Sequence, residues 1–325
     1  MRMPDDPSTV TMEGDAGAAW ERAIRRGDWE AAWLISDQVL ARLPPQDWTQ
    51  PRHLQHIWDG RPLTRQRVLV RCYHGLGDTI QSARFVPAVS DIARHVTVWA
   101  QPNLLPLLRT MRGMGELRPL HDGVPDVEYD VDVEIMELPH VLRATPDTLP
   151  NAVPYLHVSP AELDVSSGAL RVGIVWQSGD WDARRSIDCA LLAPLAAIPG
   201  VRLVVMQYGA SPGDWPHGPA LWPTAWDLWH YARVIRGLDV LITIDSMPAH
   251  LAGALGVPVW TLLAHEADWR WMEQRSDTPW YPTMRLFRQP KPGDWTGVIG
   301  DVRAALREFV QEPAVPEERA ERSLP

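Results

Sequence analysis

The 325-residue sequence predicts an α/β protein made of two Rossmann-like halves facing each other across a cleft. Three observations carry this. A short apolar run, Arg67 to Tyr73, feeds a Gly-rich loop and then a helical pattern. Strand-like and helix-like stretches alternate after it, as in a parallel sheet with crossover helices. A Pro- and Ser-rich stretch, Pro146 to Gly168, interrupts the alternation before a second series begins. The length suits two domains, each with its own core, and ligands are expected at the carboxyl ends of the strands.

Taken in order, residues 1–15 read as loose and 16–43 as two short helices broken at Gly27-Asp28. The second helix places Ala32, Trp33, Ile35, Val39 and Leu40 at helical spacing and stops at Pro44-Pro45. Residues 27–44 resemble the second half of a tetratricopeptide repeat. One such unit is visible, whereas arrays need about three units to bury their faces. It is therefore expected to cap its neighbour domain, with a partner-binding surface as the other reading. A strand over 67–73, a loop over 74–78 and a helix over 79–89 follow. Further strands are expected at 96–100 and 131–136, with a helix near 103–111. Beyond the connecting stretch, strands are expected at 171–176, 201–207, 239–244 and 257–263. The matching helices are 187–197, 226–236, 248–255 and 295–309. The charged, Pro-containing tail from Pro313 has the composition of a disordered segment. The implied divisions are 1–47 (tail and hairpin), 48–160, 161–312 and 313–325.

Composition narrows the function classes. Hydrophobic residues make up 45% and charged residues 22%, as in globular proteins. The formal charge of −10 argues against general nucleic-acid binding, which needs a basic face. Cys72 and Cys189 stand in no metal-like spacing, which fits a reducing cytoplasm. The acidic start lacks the apolar core of a signal peptide, and no run approaches ~18 apolar residues, so no membrane span is expected. Trp supplies 17 residues against 6 Tyr and 3 Phe. That excess reads either as sugar-stacking platforms or as core packing.

Three motifs carry chemistry. In Gly75-Leu76-Gly77-Asp78-Thr79 two glycines let a ligand approach the backbone, and Asp78 stands at a helix start. Asp78 reads as an N-cap, worth about 1 kcal/mol, or as a general base. The loop is neither GxGxxG nor a Walker loop, because no Lys follows, so no dinucleotide or ATPase site is expected. In the run from Ile244 to Gly256 a strand enters a helix beginning at Met247, with Ser246 and Pro248 in its first turn. Such an N-terminus suits a diphosphate. His250, four residues after Ser246, reads as a phosphate donor or as a satisfied half-buried histidine. Trp176-Gln177-Ser178-Gly179, followed by Arg184 and Arg185, starts where the second half's first strand ends. Forked guanidinium donors there suit phosphate, a solvated loop being the other reading.

These motifs stand in order at the expected strand ends. The runs HLQHIWDGRPL, RVLVRCYHGLGDTIQSARFVPAV, RVGIVWQSGDWDARRSI and ITIDSMPAHLAGALGVPVWTLL are similar to the tetratricopeptide-associated bacterial glycosyltransferases. Those are related to glycosyltransferase family 9, the ADP-heptose:lipopolysaccharide heptosyltransferases. The most distinctive run is ADWRWMEQRSDTPWYPTMRLFRQPKPGDW, and the resemblance covers roughly residues 48–310. It implies a GT-B fold, with the acceptor on the N-terminal domain and the sugar nucleotide on the C-terminal one. It implies Asp78 as catalytic base, and Asp245, Ser246 and His250 around the donor's diphosphate and sugar. Arg184 and Arg185 fall near a basic position where the family usually has lysine. Two departures lie on the acceptor side. His74 stands where the subfamily commonly reads QGLGDTIQ, and residues 132–139 stand where it reads HCPLxSLP.

The expected activity is inverting, metal-independent transfer of a sugar to a glycan, glycolipid or protein acceptor. Asp78 takes the acceptor proton, while Gly75, Gly77, Ser178, Arg184, Arg185, Asp245, Ser246, Met247 and His250 bind the donor. No metal or cofactor is expected. The co-substrate is a nucleotide diphosphate sugar, ADP-linked by preference, and the protein is placed in the cytoplasm with peripheral membrane contact allowed. Asp130-Val131-Asp132 spells a metal-binding DxD, but its alternation with valine reads as the rim of a strand. Two alternatives are a nucleotide-sugar epimerase of the same fold and a non-catalytic binding module.

Overall fold

The computed structural model describes residues 14–44, 46–163, 168–179 and 182–311. The expectations for residues 1–13, Trp181 and the tail from Pro313 lie outside these. The chain forms two compact units. One runs to Asn151 and takes in Asp268–Gln274; the other comprises Ala152–Ala267 and resumes at Arg275.

The first unit opens with helices α1 (Gly14–Arg25) and α2 (Trp29–Leu40). Gly27 turns between them at φ +84, and the Asp28 side chain accepts the Ala31 N–H to start α2. Trp33 stacks on His140 (5.6 Å) and donates from Nε1 to the Ala144 carbonyl. Asp37 accepts from Arg143 (2.7 Å) and lies 2.9 Å from His140 Nε2. This helix pair thus packs against its own unit.

Next come β1 (Arg67–Arg71), α3 (Leu76–Ser82), α4 (Val86–Ile92), β2 (His95–Ala100), α5 (Leu105–Leu108), β3 (Glu116–Pro119), β4 (Val131–Glu134) and α6 (Leu138–Val141). The strands make one parallel sheet in the order β3-β2-β1-β4. The single helix expected over 79–89 is instead α3, a 3-10 turn at Ala83–Phe85, and α4. Pro87, in the first turn of α4, suits a fresh helix start better than an interior. Strand β3 was not expected; its Glu-Leu-Arg-Pro sequence is tolerated because it is a short edge strand.

The second unit contains β5 (Leu170–Val175), α7 (Ala193–Ala196), β6 (Val201–Val205), β7 (Ala220–Leu221), α8 (Leu228–Arg236), β8 (Val240–Ile244), α9 (Met247–Ala254), β9 (Val259–Leu263), β10 (Met284–Arg288) and α10 (Trp295–Gln311). Its sheet is parallel throughout, ordered β10-β9-β8-β5-β6-β7. Central β8 is buried along its whole length, as a strand covered on both faces must be. The helix expected over 187–197 shrinks to a 3-10 turn, Cys189–Leu192, and α7, which carries proline in its first turn. Edge strands β7 and β10 were also unexpected.

Both sheets reverse strand order at one place, between β1 and β4 and between β5 and β8. Loops leaving the carboxyl ends of strands at such a reversal diverge and open a crevice. All three motifs begin at those ends. The tryptophans mostly pack: Trp176 lies against Trp215 at 5.8 Å, and both are buried. Among the described residues no helix is long and apolar enough to cross a membrane.

Candidate active site

In the first unit the Gly75–Asp78 turn follows β1. Gly75 is the N-cap of α3, and Asp78 is its third residue. Helix α3 therefore starts three residues earlier than expected, and Asp78 is not an N-cap. Its Oδ2 accepts the Gly75 N–H at 3.1 Å, the return half of a capping box. Its Oδ1 accepts from Arg270 Nη2 at 2.7 Å. Arg270 also donates to Gln81 Oε1 and Asp268 Oδ1, each at 2.8 Å, and lies 5.0 Å from the Trp269 ring. Its side chain is 11% exposed and that of Asp78 30%. Asp78 thus shows a fixed carboxylate whose remaining lone pairs can accept a proton.

His74 stands one residue before that turn. Its Nδ1 lies 3.0 Å from Glu134 Oε1, an approach too oblique for an aligned hydrogen bond. Glu134 is buried and accepts the N–H groups of Tyr73 and Met136. The two departures from the subfamily pattern noted in the sequence are therefore contact partners. Burial works against the protonated imidazole, but the Glu134 carboxylate outweighs it, and His74 titrates above the ordinary histidine range. Asp78 adds to the upward shift and Arg270 opposes it. A group raised in the folded state stabilises fully below its unfolded value, near ~6.5, and that contribution is lost as pH rises through the folded value. NMR titration of the imidazole should place His74 above ~6.5, and Glu134→Gln should lower it. An unchanged value in Glu134→Gln would refute the pairing.

The DxD-like pair is engaged elsewhere. Asp130 accepts the Arg67 backbone N–H at 2.9 Å and its guanidinium at 2.7 Å; Asp132 pairs with Arg71 at 2.8 Å. Hydrogen bonds from Arg67 bring the Asp130 carboxyl down to about 2.

In the second unit the loops after β5 and β8 meet. Arg185 Nη1 lies 3.6 Å from Asp245 Oδ2, which joins two motifs separated by about sixty residues. Arg184 turns away to Asp182 (2.9 Å) and Glu266 (3.4 Å) and is 65% exposed. Its guanidinium holds the Asp182 carboxyl below the usual range. Ser178 donates from its N–H to Ser186 Oγ and from its hydroxyl to the Gly179 carbonyl. Ser246 is the N-cap of α9 without a side-chain cap bond; its hydroxyl donates to the Ile244 carbonyl, and Met247 begins the helix. His250 is buried, with Nδ1 3.2 Å from the Tyr281 hydroxyl. A Cβ at Gly253 would overlap the Tyr281 ring, so glycine is required for that packing.

Gly75, Gly77 and Asp78 belong to the first unit's turn; the other expected site residues belong to the second unit. Sequence reasoning missed Arg270, which lies in the run most characteristic of the resemblance, and the His74–Glu134 pairing.

The protein is similar in fold to three solved glycosyltransferase structures. The glycosyl transferase family 9 structure from Veillonella parvula DSM 2008 matches with TM-score 0.56 and 14% identity, covering 78% of this chain and 99% of that one. The E. coli ADP-heptose LPS heptosyltransferase II gives 0.51 and 14%, covering 75% and 98%. The fold is GT-B. TibC, an iron-containing dodecameric glycosyltransferase from enterotoxigenic E. coli H10407, aligns to this GT-B chain at 0.50 and 14%, covering 73% and 66%. Among curated proteins, Protein FlbA of Caulobacter vibrioides is 25% identical over 351 aligned positions, covering 95% of this chain and 57% of FlbA. The GT-B chain thus spans little more than half of that relative. No family model matches it.

Proposed function

We propose that the protein is an inverting, metal-independent glycosyltransferase that moves a sugar from a nucleoside-diphosphate donor, ADP-heptose in the first instance, to a glycan, glycolipid or protein acceptor. The observation that carries this reading is the meeting of Arg185, Asp245 and the N-terminus of α9 at the strand-order reversal of the second unit. A helix N-terminus and a forked cation there suit a diphosphate. Asp245, being anionic, would repel phosphate, so its role is to orient Arg185 and to accept hydrogen bonds from sugar hydroxyls. The similarity in fold to a structure named as an ADP-heptose transferase favours ADP as the nucleoside diphosphate.

The reaction is an in-line displacement at the anomeric carbon. Asp78 takes the acceptor hydroxyl proton, the oxygen bonds to the sugar, and the diphosphate departs with the bond's electron pair. Arg185 and the amides opening α9 stabilise its charge.

A thermal-shift panel of ADP-, UDP-, GDP- and CMP-sugars tests the donor assignment. Ligand at ~100 times its Kd stabilises by about 2.7 kcal/mol, so an ADP-sugar should raise the midpoint by several degrees. A panel in which nothing shifts defeats the reading. Turnover should survive EDTA; a strict divalent requirement would overturn metal independence.

A further inference from the structure

The N-terminal hairpin and Asp78 are far apart in sequence from the segment that touches both. Asp268–Gln274 leaves the second unit's chain and packs in the first. Trp269 inserts its ring against Trp20 (5.6 Å) and Trp29 (6.4 Å), one from each hairpin helix. Four residues on, the Glu273 N–H donates to the Arg25 carbonyl at 3.1 Å. A Cβ at Gly27, the hairpin turn, would lie 2.7 Å from Met272 Cε, so Met272 seats directly on that turn. The hairpin therefore fastens the segment on both sides of Arg270. Met272 and Gln274 also hold φ +50 and +54, conformations that persist only where surroundings enforce them. From this mount Arg270 reaches Asp78 Oδ1, with its other nitrogens fixed by Gln81 and Asp268.

We infer that Arg270 is the positioning residue for Asp78, and that the N-terminal hairpin sets where Arg270 stands by gripping Trp269. The hairpin is then part of the catalytic apparatus as well as a cap. This inference rests on the reading of Asp78 as base. A guanidinium held by Gln81 and Asp268 allows Asp78 one orientation, whereas an ammonium supplies charge without the fork.

The test uses the full chain and the variants Arg270→Gln, Arg270→Lys and Trp269→Leu, with ADP-heptose as donor and nucleotide release as the rate. Arg270→Gln should lower kcat about 100-fold, with KM for ADP-heptose within about two-fold of the parent. Arg270→Lys should recover about ten-fold of that loss. Trp269→Leu should lower kcat in the same direction with Arg270 intact. Turnover of Arg270→Gln close to the parent's, a loss confined to KM, or full recovery by Arg270→Lys overturns the inference. Hydrogen exchange at the amides of 76–82, measured without substrate, separates this from the fate of the glycosyltransferase reading. If the parent releases no nucleotide, that reading fails. Faster exchange in both Arg270→Gln and Trp269→Leu then still supports the grip, and unchanged exchange overturns it.

Discussion

Asp78→Asn is expected to lower sugar transfer by about 10²–10⁴-fold, the usual range for loss of a general base. The amide is nearly isosteric, so its oxygen can still accept the Gly75 N–H that closes the first turn of α3. If Asp78 serves only as the return half of the capping box, the Asn oxygen keeps that bond, and both stability and turnover stay close to the parent's. The two roles therefore separate in one variant, assayed for both unfolding midpoint and transfer rate. Unchanged turnover removes Asp78 from the base role. The ion pair sharpens the expectation, because an asparagine that presents its NH2 to Arg270 would lose the fixed orientation as well as the basic oxygen.

Glu137→Ala should be strongly destabilising, by about 3–5 kcal/mol. The Glu137 carboxylate accepts the N–H groups of Ile57 and Trp58 at 2.9 Å and of Glu134 at 2.8 Å, and lies 2.9 Å from His56 Nδ1. Its removal leaves three backbone donors and an imidazole without their acceptor, and unmet buried donors cost about 1–3 kcal/mol each. Burial alone would raise the Glu137 carboxyl, but the charge and hydrogen bond of His56, with backbone N–H groups, hold it below its ordinary value. A depressed acid contributes stability above its unfolded value, near 4.5, and that contribution is lost as pH falls through the folded value. The stability difference between the parent and Glu137→Ala, read by denaturant unfolding, should therefore be full at neutral pH and shrink as pH falls below the ordinary carboxylate value. Glu137→Gln keeps one acceptor oxygen and should lose less. A Glu137→Ala cost under about 1 kcal/mol would show that the loop at Ile57 and Trp58 finds other partners.

The functional reach of that second change lies in what Glu137 holds. Glu134, the last residue of β4, donates its N–H to Glu137 and partners His74 just before the Asp78 turn. A structural carboxylate thus supports a titratable pair beside the candidate base. Neither partner's role was legible from its own neighbourhood. His74 showed only as a departure from a pattern, and residues 132–139 as another. Sixty positions of chain separate the two, and only folding makes them one contact.

Much of the architecture was readable because its causes are local. The Arg67–Arg71 strand, its glycine loop and the helix after it follow from apolar runs and the backbone freedom of Gly within about a dozen residues. The same holds for β8, Ser246 and α9. Helix ends at Pro87 and Pro194 and the short edge strands β3, β7 and β10 were misread or missed. There, the outcome depends on position within a sheet or on where a new helix must begin.

By itself the sequence determined two parallel α/β units and put chemistry-bearing residues at the carboxyl ends of β1, β5 and β8. It did so because hydrophobic period and turn residues act over short spans. Tertiary structure alone decided which arginine meets Asp245 and which is turned to solvent, and it alone brought Arg270 across 192 positions to Asp78. Charge pairing depends on distances of a few ångströms between side chains whose sequence separation carries no information about them. The packing of Trp269 on the hairpin, which sets one of those distances, is likewise a property of the folded chain.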